Sequence, residues 1–169
     1  MIIKAKGFIL RPHKLSDAQN IYKYQQDKDV KKNFMTFPKS VAEVKKEIKE
    51  NKKKSKFIKE SFVIDVDGEA IGEVTFSQRD PHHKKKVKMS IWVAKKCRGK
   101  GIATKVLKLV TNYAFKKYKL VRIEASVRTF NKASARAAEK AGFKLEGILR
   151  KNKYKNGKYV DDMLFAIVK

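Results

Sequence analysis

One cysteine, Cys97, stands among 169 residues, which excludes an internal disulfide and a cysteine-only metal site and calls for no oxidising compartment. Prolines number three, and no stretch is rich in Pro, Gly or Ser. The marks of a linker are missing, so one domain over residues 1–169 is expected. No apolar run approaches the roughly 20 residues of a membrane-spanning helix, and the N-terminal residues carry no signal-type segment; the expectation is a soluble, cytoplasmic protein with no membrane contact. Acidic residues are few: 17 Asp plus Glu face 43 Lys plus Arg, a net charge of +26. A field of that sign attracts polyanions and repels polycations, so a polyamine would need a local acidic pocket. Only seven of the basic residues are Arg, and Lys reads phosphates and bases less specifically. The lysine runs also lack an interleaved aromatic stacking platform for RNA. The charge has two readings: a lysine-rich solvated surface, or a footprint for ribosome, RNA or acidic-protein association.

What is present suffices for a core, with 42% hydrophobic and 10% aromatic residues. Residues 8–12 read as a short strand stopped by Pro12, and Ser16-Asp17 caps a helix carrying Ala18, Ile21, Tyr22 and Tyr24. Ser40, with Glu43 three residues on, opens a second helix through Val44 and Ile48 to Asn51, with Lys52-Lys53-Lys54 as its solvated, frayed end. Residues 62–66 and 70–76 are strand-like around Asp67-Gly68, a hairpin signal. A polar loop over residues 79–86 leads to the strand at 89–93, completing a three-stranded meander. Residues 122–127 form a strand, 131–141 a helix stopped by Gly142, and 143–149 and 159–167 two strands with Asn156-Gly157 before the second. The pattern contains about seven strands and four helices.

The organising stretch is Arg98-Gly99-Lys100-Gly101-Ile102-Ala103-Thr104. Strand periodicity before it gives way to helical spacing after it, in Val106, Leu107, Leu109, Val110, Tyr113, Ala114 and Phe115, so the glycines sit at a strand-to-helix turn. The first amides of such a helix have no partners within it, and its dipole adds partial positive charge. Two glycines let another molecule come close, which makes a socket for a phosphate. A nucleotide P-loop is excluded because only Lys100 separates the glycines, and a dinucleotide fingerprint because Thr104 stands where a third glycine belongs. A plain tight turn is the alternative.

Lys96-Cys97-Arg98-Gly99-Lys100-Gly101 resembles the pyrophosphate loop of the GNAT superfamily of acyl-CoA-dependent N-acyltransferases, Gln/Arg-x-x-Gly-x-Gly/Ala, with Lys96 departing at the first position. Asn131-Lys132-Ala133-Ser134 followed by Glu139-Lys140-Ala141-Gly142-Phe143-Lys144-Leu145-Glu146-Gly147 is similar to the unit that flanks the pantetheine arm. With Leu10-Arg11-Pro12…Asp17-Ala18 and Asn156-Gly157…Asp161, the chain looks like the RimJ/RimL-like branch, which includes ribosomal-protein N-terminal acetyltransferases. The resemblance covers nearly the whole sequence. It implies an α/β (α+β) fold, a single GNAT-type domain whose mixed, mostly antiparallel sheet of about seven strands is splayed at the cofactor site and flanked by about four helices. It also implies acetyl-CoA as co-substrate, no metal, and direct acetyl transfer to a small-molecule or peptide amine. A homodimer through the last strands is compatible with it.

The resemblance assigns cofactor binding to Val93, Arg98, Gly99, Lys100, Gly101, Ala103 and Asn131, with a backbone amide near Val93 polarising the thioester carbonyl. Asn131 is equally a preferred helix N-cap. For the proton that the departing thiolate needs, many members place a Tyr seven residues after the Asn, where Ala138 stands; the RimJ/RimL-like branch has a Ser three residues after it, and Ser134 fits. The Glu that relatives carry early on the strand before the turn corresponds to Lys88, and a charged lysine accepts no proton. Glu73, a lone carboxylate inside an apolar strand, is the substitute base. An outward-facing Glu73 is the alternative, and Glu124 or a water chain could serve instead. His82 and His83 read as solvated loop residues, and Cys97 as incidental. A second function fits the charge: a basic ribosome- or RNA-associated module on a GNAT scaffold with weak or no catalysis.

Overall fold

The structure, a computed structural model, describes residues 2–53 and 55–169. Lys54, one end of the lysine run expected to fray, lies outside the described residues, as does Met1. Backbone conformation at a few turns sets much of the sheet. Asp67-Gly68 (φ 51° and 84°) and Asn156-Gly157 (φ 50° and 78°) take positive φ at both positions, which matches the right-handed twist of the flanking strands. They join β3 (Lys59–Val66) to β4 (Glu69–Ser77) and β7 (Lys144–Lys155) to β8 (Lys158–Val168). A third hairpin, with Gly7 at φ 89°, joins β1 (Ile3–Ala5) to β2 (Phe8–Arg11). With β5 (Lys86–Val93) and β6 (Arg122–Arg128) the sheet has eight strands in the order β1-β2-β3-β4-β5-β6-β8-β7. All neighbours are antiparallel except β5 and β6.

Among the described residues five α-helices accompany it: α1 (Ala18–Gln25), α2 (Lys28–Asn33), α3 (Val41–Asn51), α4 (Ile102–Tyr118) and α5 (Lys132–Lys140). The sequence pattern counts neither β1 nor α2, and it ends β7 at Leu149, six residues early. Local chemistry sets the helix starts. Ser40 Oγ accepts from the Glu43 amide at 3.2 Å, Asp27 from the Asp29 amide at 2.8 Å, and Asn131 from the Ser134 amide at 3.2 Å. α4 starts from a left-handed Gly101 with no side-chain cap.

Helices α4 and α5 cover one face of the sheet, where Val106, Val110, Ala114, Phe115, Ala135 and Ala138 pack with Phe76, Val87, Met89, Ile123 and Phe165. On the other face Ile21, Val30, Val44 and Ile48 pack with Val63, Ala70 and Trp92. A polar knot is buried beside them. Arg11, its side chain 5% exposed, donates to Asp17 at 2.7 and 2.8 Å and to Asp65 at 2.6 Å. Burial alone would raise the Asp17 pKa, but the Arg11 guanidinium and the Lys14 amide outweigh it and hold that carboxyl below its usual range.

The feature that positions the site is a failure of pairing. β5 and β6 match over three rungs only, Lys86 with Arg122, Val87 with Ile123 and Lys88 with Glu124, and from Met89 and Ala125 onward they part. On its other side β5 stays paired with β4 as far as Gly72 opposite Val93. A Cβ on Gly72 would lie 2.4 Å from the Trp92 carbonyl oxygen, so the glycine is what lets β4 follow β5 this closely while β6 swings away.

Candidate active site

Each of the parting strands runs into a helix, β5 into α4 and β6 into α5, so two helix N-termini face the same end of the gap. Open α/β sheets take ligands in crevices outside the carboxyl ends of their parallel strands, and the unpaired amides of a helix start favour an anion there. On the α4 side Gly99 (φ 78°) and Gly101 (φ 72°) are left-handed, and a Cβ on either would meet nothing within 4 Å. The backbone demands glycine, and the space above the turn is open, as a pyrophosphate requires. Lys100 is exposed beside it and Ala103 lies in the first turn of α4.

Arg98 reaches back rather than into that space. Its Nε donates to the Val93 carbonyl at 2.9 Å and its Nη1 to Asp29 at 3.1 Å. The Ala94 amide donates to Ile71 at 2.7 Å, which makes Gly72–Val93 a non-hydrogen-bonded rung of an antiparallel pair. The Val93 N–H therefore points away from β4 into the gap, as by alternation do those of Ile91 and Met89.

On the α5 side Asn131 is the N-cap, its Oδ1 holding the Ser134 amide, while its Nδ2 donates to Asn33 at 2.8 Å. Ser134 is half-buried in the first turn, and its hydroxyl takes no partner among the described residues. The helix missed in the sequence, α2, ties the two sides together. Its start holds Arg98 through Asp29, Asn33 at its end meets Asn131, and Lys155 of β7 donates to the carbonyls of Lys31 and Phe34. The Lys32 ammonium lies 4.4 Å from the centre of the Phe130 ring.

Glu73 does not face outward. His13 Nε2 lies 2.6 Å from its Oε1, and its Oε2 accepts from Gln25 at 3.0 Å and Trp92 at 2.8 Å. Both oxygens are engaged on the face that α1 and α3 cover. The three donors lie 60, 48 and 19 residues away in sequence, so no local pattern announces the cage. Glu124 accepts from Arg122 at 2.7 Å, and that arginine also binds Glu146 at 2.9 Å. Lys88, opposite Glu124 at the last paired rung, is half-buried; burial first, then the nearby Lys153, lowers its pKa, while Asp162 and Glu124 pull the other way. Cys97 is buried, and His82 and His83 lie in the loop between β4 and β5. No metal-binding group of His, Cys, Asp and Glu is found among the described residues, and none of their helices is long and apolar enough to cross a membrane.

A sheet parted between two parallel strands, with a glycine turn open to space at its mouth, defines an open α/β domain whose crevice suits a phosphate-bearing ligand. Comparison gives the class its family: the acetyltransferase (GNAT) domain matches residues 8–144, and the chain belongs to that family. It is 51% identical over 70 residues to the probable N-acetyltransferase YjcK of Bacillus subtilis (strain 168), covering 41% of this chain and 39% of that protein. It is 30% identical over 103 residues to the putative ribosomal N-acetyltransferase YdaF of the same organism, covering 61% and 56% respectively. The matched chain thus spans 39% to 56% of the length of these relatives. The fold is similar to that of the ribosomal alpha-N-protein acetyltransferase RimL in complex with coenzyme A, with a TM-score of 0.86 at 20% identity over 99% of this chain and 98% of that one.

Proposed function

We propose that the chain is an N-acetyltransferase that moves the acetyl group of acetyl-CoA directly to a primary amine, with a protein N-terminal amine as its acceptor. The observation that carries this reading is the left-handed Gly99–Gly101 turn at the mouth of the β5–β6 gap. Acetyl-CoA supplies an activated thioester when bound. Gly99, Lys100, Gly101 and Ala103 would offer backbone amides to its pyrophosphate, and Arg98, exchanging Asp29 for phosphate, would add a charge-assisted bond. The inward amides of Val93, Ile91 and Met89 form a ready strand edge for the pantetheine arm and the thioester carbonyl. Asn131 fixes the first turn of α5, which presents the Ser134 hydroxyl as proton donor to the thiolate. We assign Glu73, both of whose oxygens already accept hydrogen bonds, to holding His13, Gln25 and Trp92 in place.

The acceptor assignment rests on the word ribosomal in the names of relatives and on a net charge of +26, which favours anionic surroundings over a free polyamine. The test is a thermal-shift titration with CoA, followed by a thiol-release assay over N-terminal peptides, free amino acids and polyamines. The melting temperature should climb with the logarithm of CoA concentration, and peptides should release thiol fastest. No shift at millimolar CoA would leave the basic, non-catalytic module as the better reading.

A further inference from the structure

We propose that the hairpin of β7 and β8 docks single-stranded RNA, an activity separate from acetyl transfer. β7 is the last strand of the sheet, so its outer edge has no strand beside it. Tyr154 and Tyr159 stand directly opposite one another, on either side of the Asn156-Gly157 turn. Their ring centres are 5.0 Å apart with the planes tilted by 59°, and the two residues are 60% and 61% exposed. The lysine runs led to the expectation that no aromatic platform interleaves with them, and the hairpin corrects it. Folding joins two tyrosines that lie five residues apart in sequence, with Lys153 and Lys158 beside them in the chain and both exposed.

Residues 144–159 carry six Lys or Arg against one acid, Glu146, so the hairpin presents a surface for a polyanion. Its carboxylates are engaged within the protein. Glu146 accepts from Arg122 at 2.9 Å, Asp161 from the Lys151 amide at 2.7 Å, and Asp162 from Arg128 at 2.5 Å and Asn152 at 2.7 Å. Arg150, Lys151, Lys153 and Lys158 are exposed. Lys155 has a different part. Its ammonium donates to the carbonyls of Lys31 and Phe34 and so pins the hairpin to the end of α2. The rings are thereby held in place before a ligand arrives, which lowers the cost of ordering them on binding.

Lysines on an edge strand also deter pairing with another edge, but that role places no large aromatic on the surface. A second copy of the chain would set these cations against their own kind. An acidic protein would meet the lysines and gain little from the paired rings. A nucleic acid strand uses both, since a ring face stacks a base of any identity while the cations follow the phosphates. A duplex keeps its bases stacked inside, whereas the loops, bulges and ends of RNA present them unpaired. With Lys supplying most of the charge, the binding should tolerate changes of sequence.

Fluorescence anisotropy with a labelled single-stranded RNA of about ten nucleotides, set against an RNA duplex of the same length, tests this. The single strand should bind more tightly than the duplex, for uridine and adenosine sequences alike. Tyr154→Ala and Tyr159→Ala should each weaken it by about 5- to 150-fold, whereas Tyr154→Phe and Tyr159→Phe keep the ring and should bind as wild type. Lys153→Gln and Lys158→Gln should each flatten the slope of log affinity against log salt by up to about 0.7. Both rings are largely exposed, so the alanine variants should keep the wild-type melting temperature. A duplex bound as tightly as the single strand, or alanine variants that bind like wild type, would reduce the hairpin to a charged edge and overturn the proposal. Preference for poly-glutamate over RNA would overturn it in favour of an acidic protein. None of these readouts involves acetyl-CoA, so the outcome is independent of the acetyl-transfer reading.

Discussion

Arg98 donates to the carbonyl of Val93 at 2.9 Å and to the carboxylate of Asp29 at 3.1 Å, so one guanidinium joins the glycine turn to the end of β5 and the start of α2. The Arg98 and Asp29 side chains are 36% and 55% exposed, which makes this a surface pair that contributes little stability. Asp29→Ala should therefore cost less than about 1 kcal/mol in urea unfolding. By releasing Arg98 for phosphate it should tighten CoA binding by up to about fivefold in low-salt calorimetry. Weaker binding would mean that Asp29 holds Arg98 in its binding pose rather than competing for it.

Gly72 and Gly147 both lie in strands and neither needs a positive φ, yet they should respond differently to alanine. At Gly72 the new methyl meets the Trp92 carbonyl at 2.4 Å and the Val93 Cα at 3.3 Å, both backbone atoms that cannot step aside; at Gly147 it meets nothing. Gly72→Ala should lose about 1–3 kcal/mol and weaken CoA binding, because β5 must shift where its amides line the gap. Gly147→Ala should stay within about 0.5 kcal/mol of wild type. Equal unfolding midpoints for the two variants would contradict the close approach of β4 to β5.

The buried knot of Arg11, Asp17 and Asp65 gives stability a sign with pH. The folded pKa of Asp17 lies below its unfolded value near 3.9, so its stabilisation is complete above the unfolded value and fades as pH falls through the folded one. Asp17→Asn should cost about 3–5 kcal/mol at pH 7, since it leaves a buried arginine partly unpaired. The difference from wild type should narrow below about pH 4. A difference unchanged between pH 7 and pH 3 would place the acid-labile group elsewhere.

The parts of the fold readable in the sequence are those set by neighbours along the chain. Asp67-Gly68 and Asn156-Gly157 announce their hairpins because only residues tolerant of positive φ close such turns. The glycine turn before α4 is legible for the same reason. By contrast, α2 carries a single buried residue, Val30, in six, so it has no apolar period to detect. What holds it are Arg98, Asn131 and Lys155, 69, 98 and 124 residues from their partners. Glu73 shows the same limit, since its environment is set by three donors from distant segments.

Ser134 is the residue on which sequence and geometry can be separated by one substitution. Its amide, not its hydroxyl, is what Asn131 caps, so Ser134→Ala leaves the helix start intact, and alanine suits a helix at least as well. Stability should be unchanged or slightly higher. If the hydroxyl delivers the proton to the thiolate, kcat should fall by about 10²-fold or more, while the CoA-dependent rise in melting temperature stays as in wild type. Asn131→Ala is the contrasting variant. It removes the cap and the bond to α2, so it should lose about 1 kcal/mol of stability and lower the CoA response together with turnover. Turnover in Ser134→Ala equal to wild type, with CoA binding intact, would remove the hydroxyl from the chemistry and leave proton delivery to water in the β5–β6 gap.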